Sequence, residues 1–290
     1  MGAKDTLKQD INNVFKGMND NLFQLFKVED PEGNPQEQKW YEKKSDGFKD
    51  NDNPKALGWY EDDEGKIKLT EDEEVQPEKS YYVPTEDIEV KEGKEYFSPF
   101  DGDKYMREGI VKSIETYVES LDLSDMKLMG AVSKGTFKQS SISWKTDLSP
   151  AYETAVEVMK ECTEGMKSKP SDDAFAQCIS DTSETLMTFK KNSGKFPIEF
   201  TVKGTATSGS SEVPVEGKAD GAISGAFLIL TEAMKALFAL QALTPSSANN
   251  DDTASGIAES LSEICTTVLT VTATGKGDLM GTAGATKFKE

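Results

Sequence analysis

The amino-acid sequence predicts an α+β fold: helices with antiparallel β-hairpins, plus a small aromatic-rich inserted β module. Three observations lead there. Apolar residues recur at intervals of three and four in several stretches. Between those stretches lie Gly- and Thr-rich runs that alternate with period two. The acidic segment from 28 to 103 repeats one pattern of turn and aromatic residues. A chain of 290 residues accommodates one large domain or two modest ones. Its hydrophobic content of 36% is low for a single globule of this size, which predicts a lean N-terminal half and a better-packed C-terminal half. The expected division is an N-terminal amphipathic helix over 1–27, an acidic repeat module over 28–103 and an α+β assembly domain over 104–290.

In the N-terminal helix Leu7, Ile11, Val14, Phe15, Met18, Leu22 and Phe26 fall on one stripe. Such a stripe needs a cover. The sequence leaves two open, the C-terminal domain or a neighbouring subunit, so these residues are the candidate interface.

In the segment that follows, Asn34-Pro35 leads to Trp40-Tyr41-Glu42, and Asn53-Pro54 leads to Trp59-Tyr60-Glu61 at the same spacing. A second pair follows: Glu74-Val75 before Lys79-Ser80-Tyr81-Tyr82, and Glu89-Val90 before Lys94-Glu95-Tyr96-Phe97. Each unit sets a turn before an aromatic pair suited to a strand. Disordered tails are poor in aromatics, so the repeat predicts a small twisted β module. Trp40, Tyr41, Trp59, Tyr60, Tyr81 and Tyr82 are the candidates for its core or for a binding surface.

Further on, Ile110, Val111, Ile114, Tyr117, Val118 and Leu121 mark a helix over 105–121, and 128–144 reads as a hairpin with Gly135 near its turn. Helices are expected over 151–166 and 171–189, parted by Lys169-Pro170, with Ser171 as the new N-cap. Ile198, Phe200 and Val202 alternate into a strand that turns through 208–211 and returns at Val213 and Val215. A central helix over 226–243, a helix over 252–263 and two strands within 265–288, turning at Gly275 and Gly277, complete the reading.

Several chemistries are disfavoured. The chain has no histidine, which removes Ser-His and Cys-His nucleophile schemes and the usual zinc sites. Cys162, Cys178 and Cys265 are an odd number at wide spacing and read as small buried hydrophobes rather than a disulfide framework. A net charge of -19 repels phosphates and anionic lipid, so neither nucleic acid nor membrane is an expected partner. The N-terminus lacks the apolar stretch of a signal peptide. The longest apolar run, 226–243, is broken by Thr231, Glu232 and Lys235 and reads as a buried helix, not a bilayer span. Gly275-Lys276-Gly277 matches neither phosphate-binding fingerprint, and no acidic cluster has EF-hand spacing. No catalytic, cofactor-binding or metal-ligating residue is nominated.

The order Asn53-Pro54, Gly58-Trp59-Tyr60-Glu61, Leu69-Thr70-Glu71-Asp72, then Lys79 with Tyr81-Tyr82, resembles a module found in structural proteins of tailed bacteriophages. Glu78 stands where that module has glycine before the lysine, whereas Gly93-Lys94 keeps it in the second copy. The likeness covers roughly 34–97. More loosely, the C-terminal region, with its helix 110–121 and strands at 202–207 and 217–223, is similar to small phage proteins of the neck and tail gene cluster. The resemblance implies a virion component of neck, tail or baseplate, partnered by other virion proteins and by copies of itself, with no catalytic residues. Two other readings stand beside it: a surface-exposed, adhesin-like module whose Trp-Tyr strands bind carbohydrate, and, third, a carboxylate-dependent hydrolase.

Overall fold

A computed structural model describes residues 2–22, 24–44, 59–61, 65–69, 80–123, 125–126, 128–129, 131–132, 135–136, 140–166, 171–191, 194–195, 198–208, 210–242, 250–277 and 281–290. The fold is α+β, with antiparallel sheets. The chain divides into two compact units, Met1–Lys16 with Lys104–Glu290, and Gly17–Asp103. The first expected boundary, at 27, therefore falls inside the smaller unit.

The smaller unit is a closed barrel of six short strands: β1 (Gln24–Lys27), β2 (Tyr41–Lys44), β3 (Trp59–Glu61), β4 (Ile67–Leu69), β5 (Tyr81–Pro84) and β6 (Phe97–Pro99), ordered β1-β4-β3-β5-β2-β6. Closure gives each three- or four-residue strand a partner on both sides and leaves no sheet edge. Leu25, Ile67, Tyr82 and Phe97 make its apolar centre, with Tyr41 packed against them. The repeat has a structural counterpart. β3 meets β5 through Trp59↔Tyr82 and Tyr60↔Tyr81, and β2 meets β6 through Tyr41↔Phe97, so each Trp-Tyr-Glu strand lies beside an aromatic-pair strand.

The larger unit is built on a six-stranded antiparallel sheet. Its strands are β7 (Leu128–Met129), β10 (Ser140–Asp147), β13 (Ile198–Ser208), β14 (Ser211–Ser224), β15 (Thr270–Gly275) and β16 (Thr282–Thr286), ordered β10-β13-β14-β15-β16-β7. Two small hairpins stand apart, β8 (Ala131–Val132) with β9 (Gly135–Thr136) and β11 (Lys190–Lys191) with β12 (Gly194–Lys195). The helices are α1 (Ala3–Asn21), α2 (Gly102–Ser120), α3 (Ser149–Met166), α4 (Asp172–Thr188), α5 (Leu228–Ala242) and α6 (Asn250–Glu263), the last running into a π-helical turn over Ile264–Val268. Inward residues of the sheet, among them Phe200, Val202, Val271 and Ile223, join the helix stripes in one core. Gly221 is fitted to that core: a Cβ there would lie 1.7 Å from the Phe200 ring.

Three expectations need correction. The N-terminal stripe is not an uncovered interface over its first half: Leu7, Ile11, Val14 and Phe15 are buried in the larger unit's core beside Ile110, Ile114 and Val118 of α2. The two helices approach so closely that a Cβ on Gly109 would sit 2.5 Å from Val14 Cγ2. The helix then stops at Asn21, so Leu22 and Phe26 leave the stripe and are 49% and 42% exposed, with Met18 half-buried. Second, 128–144 is not one hairpin. β10 pairs along its whole length with β13, more than fifty residues ahead, and β7 pairs with β16. Third, Cys162 and Cys178 form a disulfide with a Cα–Cα distance of 5.7 Å, joining α3 to α4.

Candidate functional site

Trp40, Tyr81 and Tyr82 are buried, at 6%, 2% and 2% exposure, Tyr82 in the barrel's apolar centre, and Tyr41 is half-buried. The side chains of Trp59 and Tyr60 lie outside the described residues, as do Asn53-Pro54, Glu74-Val75 and Lys79. Packing explains the placement. Tyr82 stands edge-on to Phe97 at 4.8 Å between centroids, and Trp40 lies 5.5 Å from Tyr96. Burial, followed by the neighbouring Glu61 carboxylate that its hydroxyl reaches at 3.3 Å, pushes the Tyr82 phenol far above its ordinary range.

One buried carboxylate organises the connection from β5 to β6. Asp87 accepts hydrogen bonds from Lys91 Nζ, Lys94 Nζ and, at 3.0 Å, from Tyr96 Oη. The Lys91 and Lys94 ammonium groups hold its carboxyl well below the usual range. Lys94 also bridges to Glu42 on β2, so one cation ties that strand to the loop. This cluster is internally neutralised and structural in character.

In the larger unit a cavity of about 260 Å³ opens where β10 gives way to α3. Asp147, Glu199 and Asp220 occupy directly opposed positions on three adjacent strands. Like charges so placed repel. Lys218 pairs with Glu199, and Lys276 reaches Asp220 at 2.5 Å, offsetting the repulsion. Asp147 accepts from Ser149 N at 3.1 Å and Ser149 Oγ at 2.6 Å, capping the start of α3. Leu148, Pro150, Ala151, Leu186, Phe189 and Ile198 supply an apolar wall. Phe189, in the left-handed region at φ 47°, ends α4 at this wall. The cavity offers apolar contact beside carboxylates, and among the described residues that line it there is no thiol or hydroxyl side chain. No group of three acidic or sulfur ligands among the described residues is placed to hold a metal ion.

The third cysteine, Cys265, is a buried free thiol in the π-helical turn, and burial pushes it up to about 12, so it has no thiolate to offer near neutrality. Sequence reasoning missed the disulfide because a spacing of 16 residues across two helices is no motif. It missed the cavity because the three opposed acids are adjacent only through strand register. No family model, no curated protein and no solved structure matches this chain.

Proposed function

We propose that this chain is a structural subunit of a tailed-bacteriophage particle, of neck, tail or baseplate, and that it works through surfaces offered to other virion proteins and to copies of itself. The reading rests on one observation: the order Asn-Pro, Trp-Tyr-Glu, Lys-x-Tyr-Tyr resembles a phage structural module, and in this chain that segment is a compact unit of its own. The chemistry agrees with it. The chain has no histidine, its one free thiol is buried, and the acids at the cavity are paired or spent on a cap. The carbohydrate-binding alternative needs exposed ring faces, and among the candidate rings whose side chains are described Trp40, Tyr81 and Tyr82 are buried. Mass spectrometry of purified particles tests the proposal. The chain is expected at a fixed ratio to the other virion proteins, and its absence from particles that contain them ends the reading.

A further inference from the structure

We propose that the outer edge of β10 is a homodimerisation edge, on which a second copy of the chain adds its own β10 antiparallel across a two-fold axis. The inference stands on the sheet's geometry and does not need the phage assignment. An unpaired strand edge presents a row of N–H and C=O groups that recruits another strand unless it is blunted. Among the described residues the larger sheet has three such edges besides the three residues Gly284–Thr286 of β16, which run past β7 and begin with a glycine. β7 is two residues long, too short to template a partner. The outer part of β14, before its pairing with β15 begins at Ala219, carries Pro214 between Glu212 and Glu216. Proline has no N–H to offer, and the two exposed carboxylates repel an acidic partner. β10 differs from both. It is eight residues long, Ser-Ser-Ile-Ser-Trp-Lys-Thr-Asp, with no proline and no glycine, and among the described residues β13 is its one strand neighbour.

The occupant follows from the strand's own residues. Its charges cancel, Lys145 against Asp147, in a chain whose net charge is -19, so this is a stretch where a second equally acidic copy meets no net repulsion. Trp144 is buried on the covered side of the sheet, its Nε1 donating to the Met126 carbonyl at 2.9 Å, while Ser143 and Lys145 face solvent. Opposed residues in a β ladder face the same side, so a slip of one residue would set Trp144 against the solvent face of its partner. Two two-fold registers centred in the strand respect that rule, one through Ser143 and one through Trp144. In the first Lys145 lies opposite Ser141, in the second opposite Ser143, and in neither does Lys145 oppose Lys145. The two six-stranded sheets then become continuous, with main-chain hydrogen bonds supplying the affinity. The contact is isologous, so assembly along this edge stops at two.

Light scattering coupled to gel filtration on the full chain tests this, with the wild type expected to dimerise reversibly. Ser143→Lys sets lysine against lysine in either register, and is expected to raise the concentration of half-dissociation about tenfold or more. Glu216→Lys, on the blunted side, is expected to change nothing. Circular dichroism verifies that both variants remain folded. Amide exchange on the wild type supplies a second readout that needs no variant: protection of 140–147 is expected to rise with protein concentration. A wild type that stays monomeric with concentration-independent exchange overturns the proposal. So does an oligomer that Ser143→Lys leaves intact.

Discussion

In the smaller unit no strand exceeds four residues, yet each has a neighbour on both sides. In the larger unit strands reach fourteen residues, yet β10 and the outer half of β14 have one neighbour each among the described residues. The smaller unit satisfies its backbone by closing on itself and has only a thin aromatic interior to hold it. The larger unit has a deep core of helix stripes and inward sheet residues, and a disulfide, and it leaves strand edge unpaired among the described residues. Self-sufficiency of the backbone and strength of the core are thus divided between the two. A closed barrel has no edge with which to recruit a partner strand, so the assembly proposed above uses the open sheet.

The comparison breaks most visibly at the barrel's interior. Tyr82→Ala removes a ring packed on Phe97 and is expected to cost about 3–5 kcal/mol, enough to unfold a small barrel. Near-ultraviolet circular dichroism is expected to lose the barrel's aromatic signal while the helical far-ultraviolet signal persists. Loss of both together would show that the larger unit depends on the smaller.

The larger unit's counterpart is the Cys162–Cys178 bridge, which closes a loop of sequence separation 16. Reduction is expected to lower the stability of that unit by about 3 kcal/mol through the freed unfolded chain. Denaturant titrations with and without reductant measure the difference. Thiol titration adds a count: no reactive thiol in the native chain, one when unfolded, and all three after unfolding and reduction.

Acid separates the units next. Asp87 has its folded carboxyl held below the ordinary range, first by the hydrogen bond from Lys91 and then by that from Lys94. Its stabilising contribution is therefore complete above the unfolded value near 3.8 and is lost as pH falls below it. Barrel melting is expected to drop steeply in that window, and Asp87→Asn to flatten the dependence while lowering stability at neutral pH. An unchanged profile in the variant would remove Asp87 from the account. The smallest effect is expected on the solvent face of the larger sheet: Lys203→Ala breaks its pair with Glu216 and is expected to leave the melting midpoint nearly unchanged, because water screens so exposed a pair.

Much of the secondary structure was legible because amphipathic period is local. The stripe Ile110 to Leu121 and the Ser171 cap pointed to helices, which run Gly102–Ser120 and Asp172–Thr188. Alternation through Ile198, Phe200 and Val202 pointed to the strand β13. What was not legible depends on contacts between distant segments. Ser140–Asp147 shows the same alternation, but nothing in it names β13 as partner. Barrel closure was hidden because strands of three or four residues carry too little pattern to specify neighbours. Half of the N-terminal stripe proved to be ordinary core, because Gly109 leaves room for Val14.

Chemical cross-linking of intact particles with a lysine-reactive reagent, read by mass spectrometry, puts the central claim to the most direct test. Function through subunit surfaces predicts intermolecular links from exposed lysines of the larger sheet, Lys145 on β10, Lys203 on β13 and Lys218 on β14, to other copies or other virion proteins. Links confined within single chains, with these three lysines modified only by hydrolysed reagent, would contradict it.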